Sequence, residues 1–107
     1  SRFEQHLTQR YPKLPQPLLQ ALARRHGALT YDVLGNAASI EDLGEHFGAE
    51  LYAREVDYLV EREWAVTADD VLWRRTKTGL QLSPIQCEDV ARHLNQRRSA
   101  LTPSPSP

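Results

Sequence analysis

An all-α domain of about five or six helices, orthogonal or bundled, is the fold class this sequence predicts, with at most one short extended segment near Gly79. Three observations carry the prediction. The apolar side chains are dominated by Leu, with few Ile and only two Phe, a mix that favours helix over sheet. Apolar residues recur at three- and four-residue spacing through most of the chain. Box-like starts of the form Ser/Thr-x-x-Asp/Gln stand before several of these runs, and glycines stand where helices should stop.

Pro17 suits the first turn of a helix, and Leu18, Leu19, Leu22, Ala23 and His26 follow at helical spacing until Gly27 ends it. A short segment from Leu29 to Leu34 leads to Gly35-Asn36, which is turn chemistry. Ser39-Ile40-Glu41-Asp42 matches a capping box, and Ile40, Leu43 and Phe47 make one face of the helix it predicts, with Gly48 as its stop. The clearest stripe is Tyr52, Val56, Leu59, Val60 and Trp64, supported by a Glu50–Arg54 pair four residues apart. Thr67-Ala68-Asp69-Asp70 opens the next helix, which runs through Val71-Leu72-Trp73-Arg74-Arg75. Thr76 to Leu82 reads as a loop or short extended piece around Gly79. Ser83-Pro84-Ile85-Gln86 then opens a last helix whose Cys87, Val90, Ala91, Leu94 and Arg98 share a face. These elements predict one domain over residues 1–101, followed by a disordered Ser-Pro tail at 102–107.

At 107 residues the chain suffices for one modest core. Its hydrophobic fraction of 40% and charged fraction of 25% belong to an ordinary globular protein, expected in the cytoplasm. A net charge of −1 gives no global reason to bind nucleic acid or an anionic membrane. The single cysteine excludes an internal disulfide framework and fits a reducing compartment. No apolar run approaches the roughly 20 residues that cross a bilayer, and no signal-peptide pattern is present. The chain has no Met, so a piece of a longer polypeptide is expected. Charge is segregated: residues 1–30 and 73–98 are basic, whereas residues 41–63 hold eight acids against two arginines.

Recognisable catalytic apparatus is lacking. The sequence has no G-x-S-x-G elbow, no phosphate loop ending in Gly-Lys-Ser/Thr and no G-x-G-x-x-G fingerprint. His6, His26, His46 and His93 are scattered without an H-x-x-x-H pair, so surface or half-buried histidines are a better reading than a metal site. Cys87, on an apolar face, reads as a core residue and not as a nucleophile. The acids of residues 41–63 lack the order of a calcium loop and read as solvated helix faces. Trp73-Arg74-Arg75-Thr76-Lys77 is the most suggestive run. It suits phosphate or nucleic-acid contact, with Arg forks on oxyanions and Trp stacking a base. With Thr78-Gly79-Leu80-Gln81-Leu82 it also resembles the passage from helix to wing of a winged-helix DNA binder. Composition favours the alternative of a buried Trp73 anchor with arginines paired to the acidic helix, and no nucleic-acid partner is expected. A generic protein-interaction domain stays open beside it.

Five segments in order then carry a family resemblance: Leu34-Gly35-Asn36, Asp42-Leu43-Gly44, Glu55 with Tyr58-Leu59-Val60, Glu63-Trp64-Ala65, and Asp70-Val71-Leu72-Trp73-Arg74-Arg75-Thr76. Together, from about Leu18 to Leu82, they resemble the C-terminal domain of bacterial aerobic, FAD-dependent glycerol-3-phosphate dehydrogenases. The resemblance implies a parent that oxidises sn-glycerol 3-phosphate to dihydroxyacetone phosphate and passes electrons from FAD to a quinone. It also implies peripheral attachment at the cytoplasmic face of the inner membrane, and leaves a homodimer open. The family's flavin and substrate groups lie in the N-terminal region, so the resemblance assigns no catalytic, cofactor-binding or metal residue here and no cofactor to this fragment. What carries over is a structural or domain-contact role for Asp70, Trp73, Arg74, Arg75 and Thr76, with the missing N-terminal FAD-binding region as partner.

Overall fold

The computed structural model describes residues 2–63 and 67–101. Its first layer is helical. Helix α1 (Arg2–Arg10) carries Phe3 and Leu7 four residues apart, and Tyr11 follows at the same spacing. That stripe spans only three residues, too few to stand out as a helical period in the sequence. Helix α2 (Gln16–His26) starts on an extended Pro15 with Pro17 in its first turn. Gly27, at φ +57, ends it and returns its N–H to the Ala23 carbonyl. A 3-10 turn (Gly27–Leu29) leads into α3 (Thr30–Leu34). The Thr30 hydroxyl donates to the Leu22 carbonyl at 3.0 Å, and the Tyr11 phenol donates to the Gly35 carbonyl at 2.6 Å. These bonds tie the three helices around a core of Leu7, Tyr11, Leu18, Leu19, Leu22 and Leu34. Each fully buried leucine stabilises that core by about 1.5–3 kcal/mol.

The helix expected from Ile40 to Phe47 does not form. A 3-10 turn (Ile40–Leu43) ends at Gly44 and is followed by the antiparallel strands β1 (His46–Gly48) and β2 (Leu51–Tyr52). Two local causes are visible. The Asp42 carboxylate takes the N–H groups of Ala38 and Ser39 at 2.7 and 3.2 Å, which starts the turn, but Gly44 at φ +76 stops it after one winding. Gly48 at φ +137 and Ala49 at φ +49 then reverse the chain as a hairpin. Leu43 and Phe47 are therefore buried in different clusters while Ile40 faces solvent.

Helix α4 (Ala53–Glu63) keeps the predicted stripe, with Val56 and Leu59 fully buried. Trp64, the end of that stripe, and the Ser-Pro tail lie outside the described residues. The Thr67 box closes reciprocally: Thr67 N–H donates to Asp70, and Asp70 N–H to the Thr67 hydroxyl at 3.1 Å. The segment it opens, Asp70–Arg75, is wound as a π-helix, not an α-helix. The segment around Gly79 is a 3-10 turn (Thr78–Gln81), so the extended piece expected there is absent and no wing strand stands at that place. The strands of the domain are at residues 46–52 instead. Ser83 and Gln86 form a second reciprocal box at 2.8 and 3.1 Å, opening α5 (Pro84–Leu101). Val90 and Leu94 of α5 complete a second core with Phe47, Leu51, Val56, Leu59, Val71 and Leu72. Tyr58 packs against both clusters and joins them. The domain is mostly α, with five α-helices among the described residues.

Candidate functional site

The Asp70–Thr76 segment owes its geometry to one carbonyl. The Thr76 N–H reaches back five residues to the Val71 carbonyl at 3.0 Å, and the Thr76 hydroxyl donates to the same oxygen at 2.7 Å. The Thr78 hydroxyl lies 2.8 Å from that of Thr76, extending the chain of bonds into the following turn. Thr76 is thus a buried lock on the π-turn. Asp70 serves the capping box and stands 3.8 Å from Arg74, whose side chain is 81% exposed. Arg75 is also exposed.

Trp73 corrects the sequence reading. The expected core anchor is 47% exposed. Val71 and Leu72 face inward, while Asp70, Trp73 and Arg74, spaced i, i+3 and i+4, lie together on the outer face. The indole is not loose, because it covers Gly79: a Cβ at position 79 would lie 2.6 Å from Cε2 and Cζ2. Leu80, next to Gly79 in the chain, is 86% exposed, and Ile85 at the start of α5 is 71% exposed.

Beside this face lies an open groove of about 490 Å³, lined by Arg24 and Arg25 from the end of α2 and by Arg74, Arg75, Thr76, Lys77, Thr78 and Gln81. Lys77 sits at φ +58, ψ +24, a left-handed conformation that disfavours any residue with a Cβ. Under one wall is a cluster that the sequence reading missed. Glu55, buried in α4, meets Arg25 Nη1 and His26 Nε2 at 2.7 Å each. Arg25 Nη1 also donates to the Glu50 carbonyl at 2.9 Å. The signal was present, since Glu55 falls on the same helical face as Tyr52, Val56 and Leu59.

The other candidates resolve as structural contacts. His93 pairs with Asp57 at 2.7 Å beside Arg97, which spans Asp57 and Glu61, and so binds α5 to α4. His46 stacks on Tyr52 with ring centroids 4.3 Å apart, and His6 is exposed. Among the described residues no three His, Cys, Asp or Glu side chains come together as a metal site. Cys87 is partly buried against the second core. No described helix is long and apolar enough to cross a membrane.

Comparison with known proteins places this architecture. The family described as the C-terminal domain of alpha-glycerophosphate oxidase matches residues 1–97. The chain belongs to that family. It is 45% identical over 102 residues to an aerobic glycerol-3-phosphate dehydrogenase of Escherichia coli, covering 92% of this chain and 20% of the relative. It is 46% identical over 90 residues to a glycerol-3-phosphate dehydrogenase of Pseudomonas aeruginosa, covering 84% and 18%. A D-erythritol 1-phosphate dehydrogenase of Brucella abortus is 47% identical over 81 residues, covering 76% and 16%. The domain therefore spans about a fifth of the length of these relatives.

Proposed function

We propose that the chain is the non-catalytic C-terminal domain of a flavin-dependent polyol-phosphate dehydrogenase, and that Asp70, Trp73, Arg74, Arg75 and Thr76 build the face on which the rest of that enzyme rests. The half-exposed Trp73, seated on Gly79 next to the exposed Leu80 in the chain and on one face with Arg74, carries this reading. Trp and Arg are the residue types most enriched where protein surfaces close on one another. Within the motif, Thr76 and Asp70 form the frame, and Trp73 and Arg74 are presented outward.

The parent enzyme in this proposal oxidises sn-glycerol 3-phosphate to dihydroxyacetone phosphate with FAD and passes electrons to a quinone. It acts from the cytoplasmic face of the inner membrane, peripherally attached, and a homodimer is compatible with the exposed face. The residues present here do not fit the flavin. An isoalloxazine ring needs an apolar slot, whereas the groove is walled by Arg, Lys, Thr and Gln. No step of the reaction is assigned to this chain. That relatives named for two different polyol phosphates share the domain supports a role common to both, separate from the choice of polyol.

The test compares two settings. The 107-residue chain should be colourless and should not reduce a dye with glycerol 3-phosphate. Replacing Trp73 and Leu80 with Ser should lower the melting temperature far more when the domain is fused to the catalytic part of the Escherichia coli relative than in the domain alone. Equal shifts in both settings would reject the contact face, and stoichiometric flavin on the isolated chain would reject the non-catalytic role.

A further inference from the structure

We infer that the groove between the end of α2 and residues 74–81 is a binding site for a phosphate dianion, taken either as inorganic phosphate or as the head of a small phosphomonoester. The inference does not rest on the proposed dehydrogenase role, although Arg74, Arg75 and Thr76 belong both to the groove and to the proposed contact face. Five cations line this groove, drawn from two segments about fifty residues apart in the chain. Glu55 neutralises Arg25, and Asp70 meets Arg74 at the long distance of 3.8 Å. Arg24 and Lys77 have no ion-pair partner among the described residues. The walls thus keep an excess of positive charge on two segments that face one groove.

The local backbone points the same way. Lys77 is held left-handed, a conformation a glycine would take without penalty, and its neighbours Thr76 and Thr78 fix it there through their hydroxyls. The Thr78 hydroxyl donates to Thr76, and Thr76 to the Val71 carbonyl, so both hydroxyl protons are spent on shaping the wall. The groups left to meet a ligand are the guanidinium forks of Arg24 and Arg74, the Lys77 ammonium and the Gln81 amide. Guanidinium forks from two separate segments match the several oxygens of a phosphate better than the two of one carboxylate. A volume of about 490 Å³ also leaves room for a short polyol beyond the phosphate.

The test is an amide-resolved NMR titration of the 107-residue chain with inorganic phosphate at constant ionic strength, chloride serving as the balancing ion. Saturable shifts confined to Arg24, Arg25 and residues 74–81 are expected. Lys77→Gly removes the cation while keeping the left-handed backbone. It should weaken phosphate binding about tenfold, the loss of one charge-assisted hydrogen bond, with an unchanged or raised melting temperature. Arg24→Gln should weaken it comparably from the other wall. Glycerol 3-phosphate saturating the same amides, with glycerol inert, would identify a phosphomonoester ligand, whereas binding by inorganic phosphate alone would identify the free ion. Linear shifts through tens of millimolar, or Lys77→Gly binding as the parent does, would overturn the site. So would a hexaglutamate peptide or duplex DNA binding more tightly than phosphate, since the groove would then serve a macromolecule.

Discussion

Replacing Glu55 with Ala should damage the domain as much as emptying a core aromatic site. The carboxylate is 3% exposed and holds Arg25 and His26, whose side chains are 12% and 4% exposed, at 2.7 Å each. Truncation leaves both without their shared partner, although Arg25 retains the Glu50 carbonyl. Removing one side of a buried ion pair costs about 3–5 kcal/mol, because the remaining charge keeps its desolvation penalty. A domain of this size has about 5–15 kcal/mol in total. At about 4–8 °C per kcal/mol, the melting temperature should fall by at least about 12 °C. Glu55→Gln preserves the shape and one acceptor, so its loss should be smaller, about 1–2 kcal/mol. Urea and thermal melts followed by circular dichroism measure both. A Glu55→Ala variant within about 1 kcal/mol of the parent would refute the view that this cluster holds α2 to α4.

Three further outcomes follow from the same geometry. Trp73→Ala should cost about 1–2 kcal/mol by denaturant melt, well below the roughly 3–5 kcal/mol of an emptied core aromatic site, because half the ring already faces solvent. Gly79→Ala should cost about 1–3 kcal/mol, since its Cβ would stand 2.6 Å from the indole, and the cost should largely vanish in the Trp73→Ala background. For pH, the backbone N–H groups of Ala38 and then Ser39 hold the Asp42 carboxyl below its usual value. A depressed carboxylate stabilises the fold above its unfolded pKa and loses that contribution as pH falls through the folded one. Asp42→Asn should therefore flatten the acid side of the stability curve, and the Asp42 carboxyl should titrate by NMR below the ordinary aspartate value; a normal midpoint would contradict the turn.

The helices were legible where periodicity and punctuation agreed. Pro17 and Gly27 bracket α2, and the boxes at Thr67 and Ser83 close as reciprocal bonds. Residues 40–48 misled because Ile40, Leu43 and Phe47 fit a helical period, while two glycines with positive φ cut that period into a turn and a hairpin. Trp73 misled for a different reason. Helical spacing groups it with Asp70 and Arg74, opposite Val71 and Leu72, so its apolar bulk and not its position suggested burial. The groove was half visible. Its Arg74–Lys77 wall stands out in sequence, but Arg24 and Arg25 reach it through a tertiary contact that the Glu55 cluster sets.

A domain exchange tests the central claim most directly. The last fifth of the Escherichia coli relative would be replaced by this chain, and the purified fusion assayed for flavin absorbance and for dye reduction with glycerol 3-phosphate, beside the 107-residue chain alone. The account predicts a yellow, active fusion and a colourless, inactive isolated domain. A folded fusion without activity, or turnover by the isolated chain, would contradict it.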